Sequence, residues 1–185
     1  MYLDLPIKNY IDELSSEKPI PGGGGTSALA ACLGIALELM VARISLKKQE
    51  GESRKSLEDT IKKLEKLLND AEQIIDLDPK IYQEVMDSYG TPEIGQALLN
   101  SFRLQADLAL LIVMAKQLLN TVGPIAKGSI RNDLIVSSGI LDGAFKGAVA
   151  TARINVVYMK DAKQKEHSES AVKKLEEQYG QIHFA

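Results

Sequence analysis

The chain has 185 residues, 45% of them hydrophobic and 25% charged, with a formal net charge of -3 and one cysteine. This length suits a single domain over residues 1–185, burying about two-thirds of the surface its unfolded form exposes, so neither a disulfide framework nor a structural metal is required. The acidic balance argues against nucleic acid as a partner, since a binding groove would want a basic face.

There is no Trp, and Ala, Leu, Ile and Val dominate, which favours packed helices over a β-sandwich. Cys32 cannot pair within the chain, so a reducing cytoplasm is the expected location. It sits in the apolar run ALAACLGIAL and reads as a small buried hydrophobe rather than a nucleophile. MYLDLPIKNY has no apolar stretch, so no secretory leader is expected. The longest apolar run, Ala28 to Leu37, spans ten residues. A membrane span needs about 20, so this segment is expected in a soluble core and no membrane partner is expected.

In chain order, Asp4 to Leu14 predicts a short amphipathic helix, and Ser15 to Gly25, SSEKPIPGGGG, a loop. Thr26 to about Lys48 predicts a helix that is apolar on most sides and therefore central; Gly51 breaks it. Ser53 to Asp76 predicts a second long helix, with Leu57, Ile61, Leu64, Leu68 and Ile75 along one stripe and charges opposite. Pro79 suits the first turn of a short helix ending near Tyr89. Pro92 opens another, to about Val122, before the breakers Gly123-Pro124 and Gly128. Asn132 is a good N-cap for a long helix reaching Asp161, and Gln164 to Gly180 predicts a charged helix. The fold class is all-α, a bundle of long helices. Gly139, Gly143, Ala144, Gly147, Ala148 and Ala152 imply a close helix seam, within the chain or between two copies.

Gly22 to Gly25 cost backbone entropy on folding. They precede a helix start, where free N–H groups and the dipole attract anions. A ligand carboxylate, or a plain loop needing positive φ, would account for them. No Gly-Lys-Ser/Thr follows and no strand precedes, so the phosphate-loop and dinucleotide fingerprints fail. No His/Cys cluster has ligand spacing, so no metal is expected.

Asp133 falls in a first helical turn, which keeps a carboxylate ionised; it handles protons or merely complements the dipole. Asp78, before Pro79, likewise does chemistry or caps. Glu38 lies inside the apolar helix, where a carboxylate needs a partner or a raised pKa. Lys47 and Lys48 end the glycine-led helix and either meet an anionic tail or form a solvated turn. Arg153 and Asn155 lie roughly 30 Å along the helix from Asp133. A second subunit must supply some of these residues to a common site, or the helix must break; otherwise Arg153 pairs with an acid on a neighbouring helix.

Three blocks carry a resemblance. In SSEKPIPGGGGTSALAACLGIALELMV the residues are Pro19, Pro21, Gly22, Gly23, Gly24, Ala28, Leu29, Met40 and Val41. In IIDLDPKIYQEVMDSYGTP they are Asp76, Asp78, Tyr82, Val85, Met86 and Pro92. In NDLIVSSGILDGAFKGAVATARINV they are Asp133, Gly147, Ala148, Arg153 and Asn155. Order and spacing resemble the formiminotransferase-cyclodeaminase C-terminal domain family, which holds formiminotetrahydrofolate cyclodeaminase and methenyltetrahydrofolate cyclohydrolase. Three departures stand out. Asn132 replaces the family's Ser, Thr151-Ala152 replaces Asn-Val, and the stretch from Pro92 to Ala106 is short, with Arg103 its one basic residue.

The resemblance implies an enzyme that forms or opens 5,10-methenyltetrahydrofolate, a tetrahydrofolate derivative being the substrate. Cyclodeaminase with ammonia release comes first, with cyclohydrolase the alternative and a non-catalytic folate-binding or helical interaction protein the rival. Either reaction passes through a tetrahedral carbon between two nitrogens, and a carboxylate that moves protons suffices, without metal or redox cofactor. Together with the reading of the glycine run and the helix ends, it makes Asp133 and Asp78 the candidates for catalysis, and Pro21, Gly22, Gly23, Gly24, Gly25, Lys47, Arg153 and Asn155 the candidates for substrate binding. A homodimer is expected, with any formiminotransferase a separate protein.

Overall fold

The computed structural model describes residues 1–184. A short 3-10 turn, Tyr2–Asp4, precedes six α-helices: α1 (Ile7–Leu14), α2 (Gly23–Leu46), α3 (Gly51–Asp87), α4 (Ile94–Val122), α5 (Ile130–Tyr158) and α6 (Ala162–Gly180). The architecture is all-α.

Four long helices form the bundle. α2 runs antiparallel to α3, since Gly25 meets Asp78 near one end and Arg43 meets Glu65 near the other. It is also antiparallel to α5, with Ser137 Oγ donating to the Gly34 carbonyl and Gly147 lying against Ser27. α4 joins α3 through Gln105 and Asp78, and α5 through Lys116 and Ser138. α2 and α4 therefore lie on one diagonal. α6 packs on α4 and α5, and Asp161 caps it by accepting from the Gln164 N–H at 2.8 Å.

Of the expected stripe on α3, Leu57, Ile61, Leu64 and Ile75 are buried and Leu68 packs half-buried against the core, while Leu67, Ala71 and Ile74, outside that stripe, are buried as well. By length and composition alone, α2, α4 and α5 could each cross a membrane. In this structure they pack on one another and on α3, whose other face is charged.

Several expected boundaries move. The first expected helix divides at Leu5-Pro6, because proline lacks the N–H that would continue the turn. The glycine run is not a loop: α2 begins at Gly23, and none of the four glycines has positive φ. Pro79 opens no helix; it sits buried inside α3, which continues to Asp87. The Ile75 carbonyl thereby loses its helical donor, and it faces α2 at Gly25, where a Cβ would lie 3.5 Å away. Asn132 is not a cap either, since α5 starts two residues earlier behind Ser129. α5 ends at Tyr158, and the Asp161 expected to end it caps the next helix instead.

The small residues of α5 divide between two faces. Ala144, Ala148 and Ala152 are buried and Gly147 touches α2, whereas Gly139 and Gly143 look outward.

Candidate active site

One end of the bundle gathers the start of α2, the end of α3, the start of α4 and the end of α5. A cleft of about 270 Å³ opens there, lined by Pro19, Ile20 and Gly22–Gly24 from α2 and its lead-in, Asp78, Tyr82 and Tyr89 from α3 and the turn after it, Leu98 and Ser101 from α4, and Thr151, Asn155 and Tyr158 from α5. Asp78 is its one ionisable carboxylate.

Asp78 is held from two sides. Gly25 N–H donates to its Oδ2 at 2.8 Å, and Gln105 Nε2 donates to its Oδ1 at 2.7 Å. Partial burial pushes its pKa up, while these two hydrogen bonds to the charged form pull against that rise. The Gly25 N–H is one of the unpaired donors of the first turn of α2, where a helix attracts negative charge. The anion at that helix start is thus the protein's own carboxylate. Gly24 makes the arrangement possible: a Cβ there would lie 2.1 Å from Asp78 Oδ1 and 2.4 Å from Gln105 Nε2. The need is for space, not for unusual φ.

Asn155 is buried and faces the cleft, its Nδ2 donating to the Thr151 carbonyl at 2.9 Å. Thr151, one of the departures from the family pattern, lines the same wall, with its hydroxyl bonded to the Gly147 carbonyl at 3.0 Å. Tyr82, Tyr89 and Tyr158 supply flat apolar surface, and the last two are about half exposed. A second cleft shares Tyr89, Leu98 and Tyr158 and extends past Ile94 and Gly95 at the start of α4 to Lys160.

Of the residues singled out from the sequence, Gly22, Gly23, Gly24, Asp78 and Asn155 line this cleft, Gly25 holds Asp78, and Pro21 is buried beside them. Asp78 was expected at a helix start but lies far along α3, and its alternative reading as a cap falls away with that boundary.

The remaining three lie elsewhere within one chain. Lys47 is exposed just after α2, about 36 Å from Gly23 along the helix. Arg153 points away from the cleft and pairs with Glu176 of α6 at 2.6 Å. Asp133 occupies the first turn of α5, at the far end from the cleft. Straight helices separate Lys47 and Asp133 from the cleft, whereas Arg153 is kept out of it by the face of α5 that it occupies.

Glu38 is fully buried in α2 with neither oxygen hydrogen-bonded, and burial pushes its carboxyl up to about 9. Cys32 is buried and its thiol pushed up to about 12, also by burial; both are core groups outside the cleft. Gln105 was missed from the sequence. A lone amide in the apolar stretch FRLQADLALLIVMA was its signal, because a buried amide calls for a polar partner.

The family profile described as Formiminotransferase-cyclodeaminase matches residues 6–174. A methenyltetrahydrofolate cyclohydrolase of Methylorubrum extorquens is 34% identical over 88 residues, 47% of this chain and 42% of that protein. A formimidoyltransferase-cyclodeaminase of Gallus gallus is 25% identical over 186 residues, 94% of this chain and 34% of that protein. The matched stretch thus spans less than half the length of either relative. The crystal structure of formiminotetrahydrofolate cyclodeaminase from Thermotoga maritima superposes with a TM-score of 0.89 at 19% identity, covering 96% of this chain and 91% of that one. The bundle and its order of helices are therefore shared, and the chain belongs to the formiminotransferase-cyclodeaminase family.

Proposed function

We propose that this protein forms or opens the 5,10-methenyl bridge of a tetrahydrofolate, most directly as a formiminotetrahydrofolate cyclodeaminase. The observation that carries the reading is Asp78, a pre-positioned carboxylate at the base of a tyrosine-lined cleft. The tyrosine walls suit a flat pterin. The adjoining cleft, running to the start of α4 and Lys160, suits the anionic glutamate end, which a helix N-terminus and a cation both attract.

In cyclodeamination, N10 attacks the formimino carbon carried on N5 and a tetrahedral carbon forms. The N10 proton must leave, the amino group must gain one, and ammonia departs as the methenyl cation closes. Asp78 is the group that takes and returns the proton and offsets the cationic charge. Proton transfer alone balances the reaction, so no metal or redox cofactor enters it. In the alternative, cyclohydrolysis, the same carboxylate draws a proton from water as it adds to the methenyl carbon, and the ring opens.

The same reading makes the protein a cytoplasmic homodimer. The lone, unpaired Cys32 fits a reducing compartment, and the uncovered apolar face of α2 and α5 supports the dimer.

Methenyl absorbance tests the proposal. Growth with 5-formiminotetrahydrofolate establishes the cyclodeaminase, and decay of 5,10-methenyltetrahydrofolate faster than in buffer establishes the cyclohydrolase. Asp78→Asn should lower either rate by about 10²–10⁴. Folate binding without turnover would instead establish a binding protein.

A further inference from the structure

Gly139 and Gly143 stand one turn apart on the outer face of α5, and a Cβ built on either meets nothing within 4 Å. An interior helical glycine costs about 1 kcal/mol relative to alanine, and no neighbour in the chain asks for one here. Around them the surface is apolar. Val136, Ile154 and Val157 on α5 and Leu33, Met40 and Ile44 on the adjacent α2 are exposed, Leu33 and Val157 by more than half. On each helix these residues recur at helical spacing, and Lys146 is the one charged residue among them on α5. Their exposed portions amount to several hundred Å², approaching the ~800 Å² that each partner buries in a standard interface and reaching the upper range of patches on monomers.

We propose that a second copy of this chain covers this face, α5 packing antiparallel on its counterpart about Gly139 and Gly143, so that Asp133 of each copy completes the Asp78 cleft of the other. Asp133 and Thr151 are eighteen residues apart, about five turns and about 27 Å, so they lie on the same side of α5. That side faces α2, since a Cβ on Gly23 would lie 3.6 Å from Thr151 Oγ1, and Thr151 lines the cleft. The middle of the interval falls at Asp142, beside Gly143. A two-fold axis crossing α5 there reverses one helix on the other while keeping like sides together. Asp133 of one copy then comes level with Thr151 of the other, at the mouth of its cleft. A parallel pairing would leave them about 27 Å apart. Glycine at the crossing lets two helix backbones approach closely, as small residues do at tight helix seams. Asp133 is half-buried and takes no ion pair or hydrogen bond among the described residues, so it is free for this role.

The role of Asp133 rests on the catalytic reading of the cleft, but the pairing does not, and the two are tested separately. Cys32 is the chain's lone cysteine and is buried, so introduced thiols report cleanly. Gly143→Cys should oxidise to a covalent dimer, whereas Lys66→Cys on the exposed face of α3 should not. Asp133→Cys chains mixed with Tyr158→Cys chains should be joined by a short bismaleimide into a mixed dimer. A monomer by light scattering, or a dimer that resists both cross-links, overturns the pairing whatever the protein catalyses.

For the site, Asp78→Asn and Asp133→Asn are each expected to be inactive. Co-expressed, they should recover about a quarter of wild-type turnover, because half the dimers are mixed and each mixed dimer has one intact site of two. Cross-linked dimers with full activity in Asp133→Asn, or with no recovery in the mixture, overturn its part in the site.

Discussion

Gly24 and Gly23 are neighbours in the first turn of α2, yet alanine should have opposite effects at the two positions. At Gly23 a Cβ finds Thr151 Oγ1 at 3.6 Å, an ordinary contact, so Gly23→Ala should be neutral or stabilise by up to about 1 kcal/mol through helix propensity. At Gly24 a Cβ would overlap Asp78 Oδ1 and Gln105 Nε2, at 2.1 and 2.4 Å. The carboxylate must move, losing the bonds from Gly25 N–H and Gln105. Hydrogen bonds to a charged group contribute about 1.5–3 kcal/mol each. Gln105 Oε1 is already unpaired and the residue fully buried, so its amide has no second partner to turn to. Set against the propensity gain, Gly24→Ala should cost about 2–5 kcal/mol. Urea unfolding followed by circular dichroism reads both variants, and turnover should fall in Gly24→Ala. Equal stability in the two variants would refute the view that the glycine exists to admit Asp78.

Other expectations follow from the core and the surface. Folded, Glu38 keeps its proton up to about pH 9, but unfolded it ionises from about 4.5. The native state therefore binds the extra proton in that window, and stability falls as pH rises through it, by up to about 1.4 kcal/mol per pH unit. Glu38→Met should be more stable than wild type at pH 8 and should flatten this slope; an unchanged slope in urea melts from pH 5 to 9 would show that Glu38 is not its source. Tyr179 stacks on Phe145 with centroids 3.8 Å apart and donates to Asp142, which also pairs with the buried Lys116. Tyr179→Ala should cost about 2–4 kcal/mol and expose 162–180 to protease before the rest of the bundle. Arg153 and Glu176 are 58% and 40% exposed, so Arg153→Ala should change the unfolding free energy by less than about 1 kcal/mol, as thermal melts at two salt concentrations would show.

The all-helical class and most helix spans were legible from apolar periodicity, because a helix in a bundle must bury a stripe whatever its neighbours are. The stripe from Leu57 to Ile75 and the apolar α2 are such cases. Local punctuation was less dependable. Pro79 and the glycine run read as breaks, yet both lie within helices. The cost of a proline or glycine in a helix is a few kcal/mol at most, and packing at the α2–α3 contact outweighs it.

The candidate site divides in the same way. The expectation that Asp78, the glycines and Asn155 carry chemistry came from matching blocks of sequence, and pattern alone left each as an even or bland choice. The bond between Gln105 and Asp78, 27 residues apart, joins helices whose approach no local spacing encodes. The sequence did determine that Asp133 and Asn155 could not meet within one straight helix, because the rise per residue is a constant of the α-helix. Which residues gather around Asp78, and which face of α5 remains uncovered, depended on how four helices pack together, since each side chain's neighbours come from distant parts of the chain.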